Sequence, residues 1–504
     1  MQIWFIIEIL SLALTVPVLA LSYYWLLLLV SSFRYPRDLG SHDVHLQKYP
    51  LVSILISTFN EKLVIGKSLE VMKHLDYPKS QLQVVVADDS TDDTVGIIDE
   101  KVRELNRAGI KAVVSRRAAR EHFKCGALNQ AMNSVIGDYV LLLDADSVIP
   151  PDILSKGISA LDTHPRASFV SFRYGHYNRN YNLITRLFAL SQDFGDTVSK
   201  MGAYRLDAPF SSQGGFTLVR ARELREVGQW TNQRIADDAD ISIKMYLKGK
   251  RGIYLSNVKI MSEDPSTLEA WKKQVARTSQ GWWRCIAHYW KTIILARGIS
   301  IPKKIGLFLM LMGPFSSISW IIVTFLSALE VMFHLVPPLD SIFTNPIYIA
   351  IVTIPFVITL FSCAWALWVQ GILTLKNAIF IPALSYATAC MLTLGSIGFF
   401  YGVFDRPGFF YYRTPKSGSE KHMTRTVYFR NLTNGRYALI EGGLSIAGIA
   451  LAVYLAFSGV WFLALSLGGF GAFTLKSMNL TRGLRREKAP ELVLEEIAPE
   501  IGTG

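Results

Sequence analysis

Two carboxylates at alternate positions, Asp144 and Asp146, stand just past the apolar stretch Tyr139–Leu143. Carboxylate oxygens are hard ligands, suited to Mg2+ or Mn2+ bridging a diphosphate. A departing diphosphate develops negative charge, and a divalent cation neutralises it. An isolated D-x-D string also describes a solvated turn; its place at a strand end selects the metal reading. A second acidic cluster, Asp237, Asp238 and Asp240, opens the amphipathic stretch Ile241–Leu247. Such acids complement the positive end of a helix dipole. A buried one can instead act as general base toward a sugar hydroxyl, and like-charge neighbours raise its pKa to suit. Asp88 and Asp89 end another apolar run and can orient a nucleoside through base or ribose. Acids there also serve as helix caps, as Asp92 and Asp93 do. Lys124 can reach a phosphate or begin a solvated helix. Gln274 and Arg277 share one helix face at i, i+3, with Trp282 and Trp283 following, and arginine binds phosphate bidentately.

Several lookalikes fall away. Gly66-Lys67-Ser68 resembles a phosphate loop, but Glu61 occupies the position of the required upstream glycine. His42 and His45 lack partners at ligand spacing. The four cysteines, Cys125, Cys285, Cys363 and Cys390, form no C-x-x-C pair. That argues against a disulfide framework and a structural zinc site.

The elements that must position these groups alternate. Strands are predicted over Leu51–Ser57, Gln83–Ala87, Lys111–Ser115 and Tyr139–Leu143, with helices over Leu63–His74, Asp93–Ala108 and Cys125–Val135. Strand–helix alternation implies a mainly parallel sheet in an α/β fold. Ligands of such sheets bind beyond the carboxyl ends of the strands. Three strands end in polar clusters: Asn60-Glu61, Asp88-Asp89 and Asp144/Asp146. They are expected to converge on one cleft.

The chain has 504 residues, 50% hydrophobic and 18% charged, with a net charge of +12. This excludes a disordered chain. The basic excess fits an anionic membrane face and phosphorylated substrates rather than nucleic acid. A spanning helix needs about 20 apolar residues. Ile3–Val30, Leu307–Leu329 and Ile347–Val369 meet that need, and Tyr437–Phe457 with Val460–Leu475 reads as a last hairpin. Ala378–Phe404 carries Pro382 and several glycines and reads as interfacial or re-entrant. The Lys/Arg distribution puts the large domain inside. Expected, then, is a multi-pass cell-membrane protein. Its parts are an anchor (1–35), a cytoplasmic domain (36–298), a helix pair (299–376), an interfacial segment (377–435), a hairpin (436–476) and a tail (477–504). The sequons at Asn431 and Asn479 would face inside.

In order, STFNE (57–61), VVVADDSTDDT (84–94), KCGALNQAM (124–132), LLLDADS (141–147), DDADIS (237–242), QVAR (274–277) and YRTPKSG (412–418) resemble the membrane-embedded, GT-A-fold family 2 glycosyltransferases. That group includes the cellulose, mannan, chitin and hyaluronan synthases. The resemblance covers about Tyr49–Gly281 and the downstream apolar region. It implies a nucleotide-sugar-binding GT-A domain set into a transmembrane helix bundle. It further implies that Glu61 and Asp89 help hold the nucleoside, and that Asp144 and Asp146 belong to the metal motif. Asp238 takes the catalytic-base position, Gln274 and Arg277 hold the diphosphate, and Arg413–Lys416 gates the site. Three departures stand out. Ala236-Asp237-Asp238 replaces the usual TED, and Thr278 replaces a tryptophan that stacks on the acceptor sugar, a place Trp282 or Trp283 can fill. Ser212-Gln213-Gly214-Gly215 replaces an FNGT-like or FCGT-like string, putting Gln213, Gly214 and Asp237 on the acceptor side. All three lie at the base or acceptor side, so an ordinary donor site and an unusual acceptor are expected.

The expected activity is inverting transfer from a UDP- or GDP-sugar, with Mg2+ or Mn2+, to a polysaccharide acceptor, with processive synthesis and translocation. A lipid-linked acceptor receiving one sugar is the alternative. A transporter or a catalytically inactive sugar-nucleotide binder stands outside that class.

Overall fold

The computed structural model describes residues 2–36, 46–231, 236–313, 346–404 and 435–457, with a few single positions beyond them. The expectations for His42, His45, Arg413–Lys416, both sequons, the tail and most of Leu307–Leu329 and Val460–Leu475 lie outside the described residues.

In chain order come α1 (Gln2–Ser32), β1 (Val52–Thr58), α2 (Ile65–Val71), β2 (Leu82–Asp88), α3 (Thr94–Arg107), β3 (Lys111–Arg116), α4 (Phe123–Ala131), β4 (Tyr139–Asp144), α5 (Ile153–Thr163) and β5 (Ala167–His176). Then follow α6 (Leu183–Phe194), α7 (Met201–Arg205), β6 (Phe216–Arg220), α8 (Ala221–Glu226), α9 (Asp237–Leu247), β7 (Arg251–Ser262), α10 (Leu268–Leu295) and α11 (Ile301–Leu311). A π-helical turn, Gly195–Lys200, joins α6 to α7. Further helices span Pro346–Val369, Phe380–Val403 and Gly435–Phe457.

The seven strands form one mixed sheet in the order β3-β2-β1-β4-β6-β5-β7. β1 pairs in parallel with β2 and β4, and β2 with β3. β6 runs opposite to its neighbours β4 and β5, while β5 and β7 are parallel. The central strands read as continuous apolar runs because both faces are covered. Ile54, Ile56, Val84, Val86, Leu141 and Leu143 fill one side with α2, α3 and α5. Leu55, Val85, Val140 and Leu142 face the other, with α4, α9 and α10. Register brings Thr58 beside Asp88, Ser57 beside Asp144 and Leu143 beside Phe216. The polar strand ends thus share one edge, and β6 begins there.

The expected membrane architecture is corrected. Among the described residues, no helix is long and apolar enough to cross a membrane. The transmembrane part of the fold expectation and the multi-pass placement with a cytoplasmic domain fall with it. A helix apolar all round marks burial either in lipid or in protein, and parts of these helices meet protein. Leu28 and Leu29 at the end of α1 belong to the core of the sheet domain. A Cβ added at Gly398 would lie 2.2 Å from the Ala276 carbonyl oxygen, so the helix Phe380–Val403 lies directly against α10. At 28 residues α10 is the right length for a span, but it carries Lys272, Lys273, Arg277, Arg284 and Lys291.

Candidate active site

The two acids at the end of β2 sit where the register places them, and both are engaged. Asp88 is buried: its Oδ2 accepts from Arg116 Nε at 2.8 Å and its Oδ1 from the Ser90 N–H at 2.9 Å. Asp89 receives Arg117 through both oxygens, Nε to Oδ1 at 2.8 Å and Nη2 to Oδ2 at 2.6 Å. Glu61 lies in the turn after β1, where its carbonyl accepts from the Val64 and Ile65 N–H groups.

At the end of β4 the two acids divide. Asp146 is buried, with its Oδ2 accepting from Ser262 Oγ at 2.5 Å and the Glu263 N–H at 3.0 Å, so β7 fixes its carboxylate. Asp144 is open on one side and pairs with Lys124 Nζ at 2.9 Å. Lys124 also reaches Asp237 Oδ2 at 3.1 Å. Burial works against its ammonium, but Asp144 and Asp237 outweigh it and raise the Lys124 pKa. One lysine therefore ties the end of β4 to the start of α9. Gly215 makes this packing possible: a Cβ there would lie 2.5 Å from the Asp144 carboxylate.

The start of α9 carries a carboxyl raised above its ordinary range. Burial, then the neighbouring charge of Asp237, pushes the Asp238 carboxyl up to about 6. Asp237 is held below the usual carboxylate range, because Lys124, and then Arg277, overcome its burial. Asp240 is buried and structural: Thr231 N–H and Oγ1 donate to it at 2.7 and 2.9 Å, and Lys244 pairs with it at 3.1 Å. Ser212 and Ser242 hydroxyls donate to the Asp238 carbonyl at 3.2 and 2.7 Å, docking the loop before β6 on α9. Gly214 has φ +37 and comes within 4 Å of Asp237 and Lys124 when given a Cβ. Lys124, Ser212, Gly214, Gly215, Asp237 and Asp238 line one pocket over an apolar floor that includes Leu55, Leu142 and Trp230.

Sequence reasoning missed the π-turn. Lys200 Nζ pairs with Asp196 Oδ1 at 2.8 Å, and Gln213 Nε2 donates to the same oxygen at 2.9 Å. Burial lowers the Lys200 pKa, and its charge acts on Asp238. The i, i+4 spacing of Asp196 and Lys200 was the available signal. Also missed was Ser262, which the sequence offers only as the end of an irregular strand. Behind β5 and β7, His176 Nδ1 lies 2.8 Å from Asp264 and its Nε2 3.6 Å from Asp193. Burial disfavours the imidazolium, but these acids raise the His176 pKa.

On α10, Arg277 faces Asp237 electrostatically, and Gln274 Oε1 is buried with no hydrogen-bond partner among the described residues. Trp283 packs on Phe399 at 4.4 Å between ring centroids, and Trp282 lies beside Gly313. Neither lines the pocket.

Residues 53–220 match the family described as Glycosyl transferase family 2, and residues 139–403, more than half of the chain, match Glycosyl transferase family group 2. The chain belongs to the family 2 glycosyltransferases. It is 31% identical over 276 residues to a probable glucomannan 4-beta-mannosyltransferase 6 of Oryza sativa subsp. japonica, covering 51% of this chain and 48% of the relative. It is 27% identical over 355 residues to glucomannan 4-beta-mannosyltransferase 9 of Arabidopsis thaliana, covering 69% of this chain and 63% of the relative. The matched region thus spans about half of the first relative and under two thirds of the second. Among solved structures, the mannosyltransferase PcManGT of Pyrobaculum calidifontis, in complex with GDP-Man and Mn2+, is 19% identical with a TM-score of 0.52, covering 79% of this chain and 99% of that one. The shared fold is the GT-A-like α/β architecture.

Proposed function

We propose that residues 36–298 of this family 2 glycosyltransferase carry out inverting transfer of a hexosyl unit from a nucleoside diphosphate sugar to a glycan hydroxyl. The reading rests on one observation: Lys124 joins Asp144 of the D-x-D string to Asp237, the neighbour of Asp238. One side chain that lines the pocket therefore bridges the groups assigned to donor and base. The relatives named as mannosyltransferases support mannose as the sugar.

A divalent cation fits the donor set. Asp144 and Asp146 are hard oxygen ligands, and no cage of three acidic, His or Cys side chains exists among the described residues. Mg2+ and Mn2+ are commonly held that way, by one or two carboxylates plus the substrate's own phosphates. When bound, the ion neutralises charge on the leaving diphosphate. Lys124, Gln274 and Arg277 contribute donors to the same group, and Glu61, Asp88 and Asp89 shape the nucleoside end. Asp238 accepts the proton of the acceptor hydroxyl as that oxygen bonds to the anomeric carbon and the bond to the diphosphate breaks. Displacement from the far face turns an α-linked donor into a β-glycoside. A carboxyl near 6 is ionised at neutral pH yet more basic than an ordinary aspartate, as this role requires. Gln213 and Gly214 border the acceptor side.

The test supplies purified full-length protein with a panel of radiolabelled nucleotide sugars, Mn2+ and oligosaccharide acceptors. Transfer from one donor, abolished in Asp238→Asn while nucleotide binding persists, is the expected result. Undiminished transfer by Asp238→Asn would refute the base. Product length separates polymer synthesis from addition of one sugar.

A further inference from the structure

Asp146 takes two donors, Ser262 Oγ and the Glu263 N–H, from the place where β7 ends and the chain runs on toward α10. Donors on such a segment orient a carboxylate only as well as the segment itself is held. The end of β5 holds it. β5 and β7 are parallel, and His176 stands in register with Ser262. Beyond that pair the two chains stay joined residue by residue. The Tyr177 N–H donates to the Ser262 carbonyl at 3.4 Å, and its hydroxyl to Glu263 Oε2 at 3.2 Å. Asn178 and Asp264 bond reciprocally: Asn178 Nδ2 donates to the Asp264 carbonyl at 2.9 Å, and the Asp264 N–H to Asn178 Oδ1 at 2.8 Å.

His176 is the buried member of this clasp. Its Nδ1 lies 2.8 and 3.0 Å from the two carboxylate oxygens of Asp264, a residue 1% exposed. A carboxylate so far from water needs a donor. The neighbouring buried acid, Asp193, has the Arg173 and Arg179 guanidinium groups beside it; Asp264 has the imidazole. The other ring nitrogen, Nε2, stands 3.6 Å from Asp193, beyond hydrogen-bond reach, and has no hydrogen-bond partner among the described residues. The ring therefore grips through Nδ1. We propose that His176 is a positioning residue for the metal motif: bonded to Asp264, it holds residues 262–264 in the place from which Ser262 and Glu263 orient Asp146 toward a divalent cation. The assignment rests on the transferase reading above, in which Asp146 serves the ion, and adds a residue that touches neither metal nor substrate.

The test titrates GDP and UDP into the full-length protein by calorimetry, each with and without Mn2+, and reads the ratio of the two affinities. An asparagine amide nitrogen takes the place of Nδ1, and a glutamine one the place of Nε2. His176→Asn should therefore keep the wild-type ratio. His176→Gln should lower it about tenfold, the lower end for groups that orient metal ligands, with the affinity in the absence of Mn2+ unchanged. In the Asp146→Ala background His176→Gln should change nothing further. Equal losses in both variants, or a loss that persists without Asp146, would mark His176 as part of the core alone and overturn the assignment. An unchanged ratio in folded His176→Gln would overturn it too. Thermal melting is the fold control. If His176→Gln does not fold, Asn178→Ala, at a half-buried position in the same clasp, must lower the ratio instead, and an unchanged ratio there overturns the assignment. A wild type that transfers sugar with no Mn2+ dependence overturns the His176 assignment and leaves transfer standing. Mn2+-dependent nucleotide binding with no transfer overturns the transferase reading and leaves the variants to decide His176. Absence of both overturns both.

Discussion

Asp238 shows how a sequence departure is made to work. Shortening the usual glutamate to Asp237 leaves a second carboxylate against the proposed base, and burial with that charge lifts Asp238 to about 6. Turnover should therefore fall as pH drops through about 6, because the protonated acid accepts nothing; a flat kcat profile from pH 5 to 7 would contradict this. Stability has the opposite sign. A carboxyl raised in the folded state binds its proton more tightly there than in the unfolded chain, so folding loses free energy as pH rises from the ordinary carboxylate value toward 6. Asp238→Asn should thus melt higher than wild type at pH 7 and converge with it at pH 4. The gain is about 1–2 kcal/mol after allowance for solvent screening. Asp146 is held from outside its own strand, by Ser262 Oγ and the Glu263 N–H. Ser262→Ala should weaken Mn2+-dependent nucleotide binding about tenfold, as loss of a group orienting a metal ligand does. Calorimetry with and without Mn2+ checks it. The like-charge rise at Asp238 is readable in the string Asp237-Asp238. The partners of Asp146 are not, because 116 residues separate it from Ser262.

Among the elements, the first four strands are legible because each is a compact apolar run between polar punctuation. β5, β6 and β7 are not. β5 contains Arg173 and His176, which are tolerable in a buried strand because Asp193 and Asp264 lie against them. β7 runs for 12 residues through Asn257 and Lys259, with a register shift against β5 between Phe172 and Arg173. No local pattern announces either. Lys124 is ambiguous in the sequence, and its double pairing to β4 and α9 gives it a tested place. Lys124→Met should remove the tie. The pairs are partly exposed, so the stability cost is modest, about 1 kcal/mol. The functional effect should be larger: diphosphate affinity should drop at least tenfold, with melting changed by only a few degrees. Equal losses in free-nucleoside and diphosphate binding would instead mark Lys124 as purely structural.

At the scale of the molecule, the apolar helices are where sequence and structure part. Hydrophobicity reports that a surface avoids water, and says nothing of what covers it. The end of α1 is covered by the sheet domain, through Leu28, Leu29 and the close approach at Gly202. A Cβ at Gly202 would lie 2.2 Å from the Leu28 carbonyl oxygen. Gly202→Ala should destabilise by about 2–3 kcal/mol, since backbone cannot yield as a flexible side chain does. Thermal unfolding and faster proteolysis at α1 would report it. The π-turn begins six residues before Met201, and Asp196 within it accepts from Gln213 in the loop before β6, so this docking reaches toward Gln213. β6 sets a further consequence. Because it runs against β4 and β5, the chain enters it at the same rim where the other strands finish. The residues proposed to meet the incoming hydroxyl lie on segments threaded after Asp146, while those proposed to shape the nucleoside end precede it. Grafts that exchange the latter half between relatives should therefore swap the glycan recognised and leave the nucleotide-base preference alone.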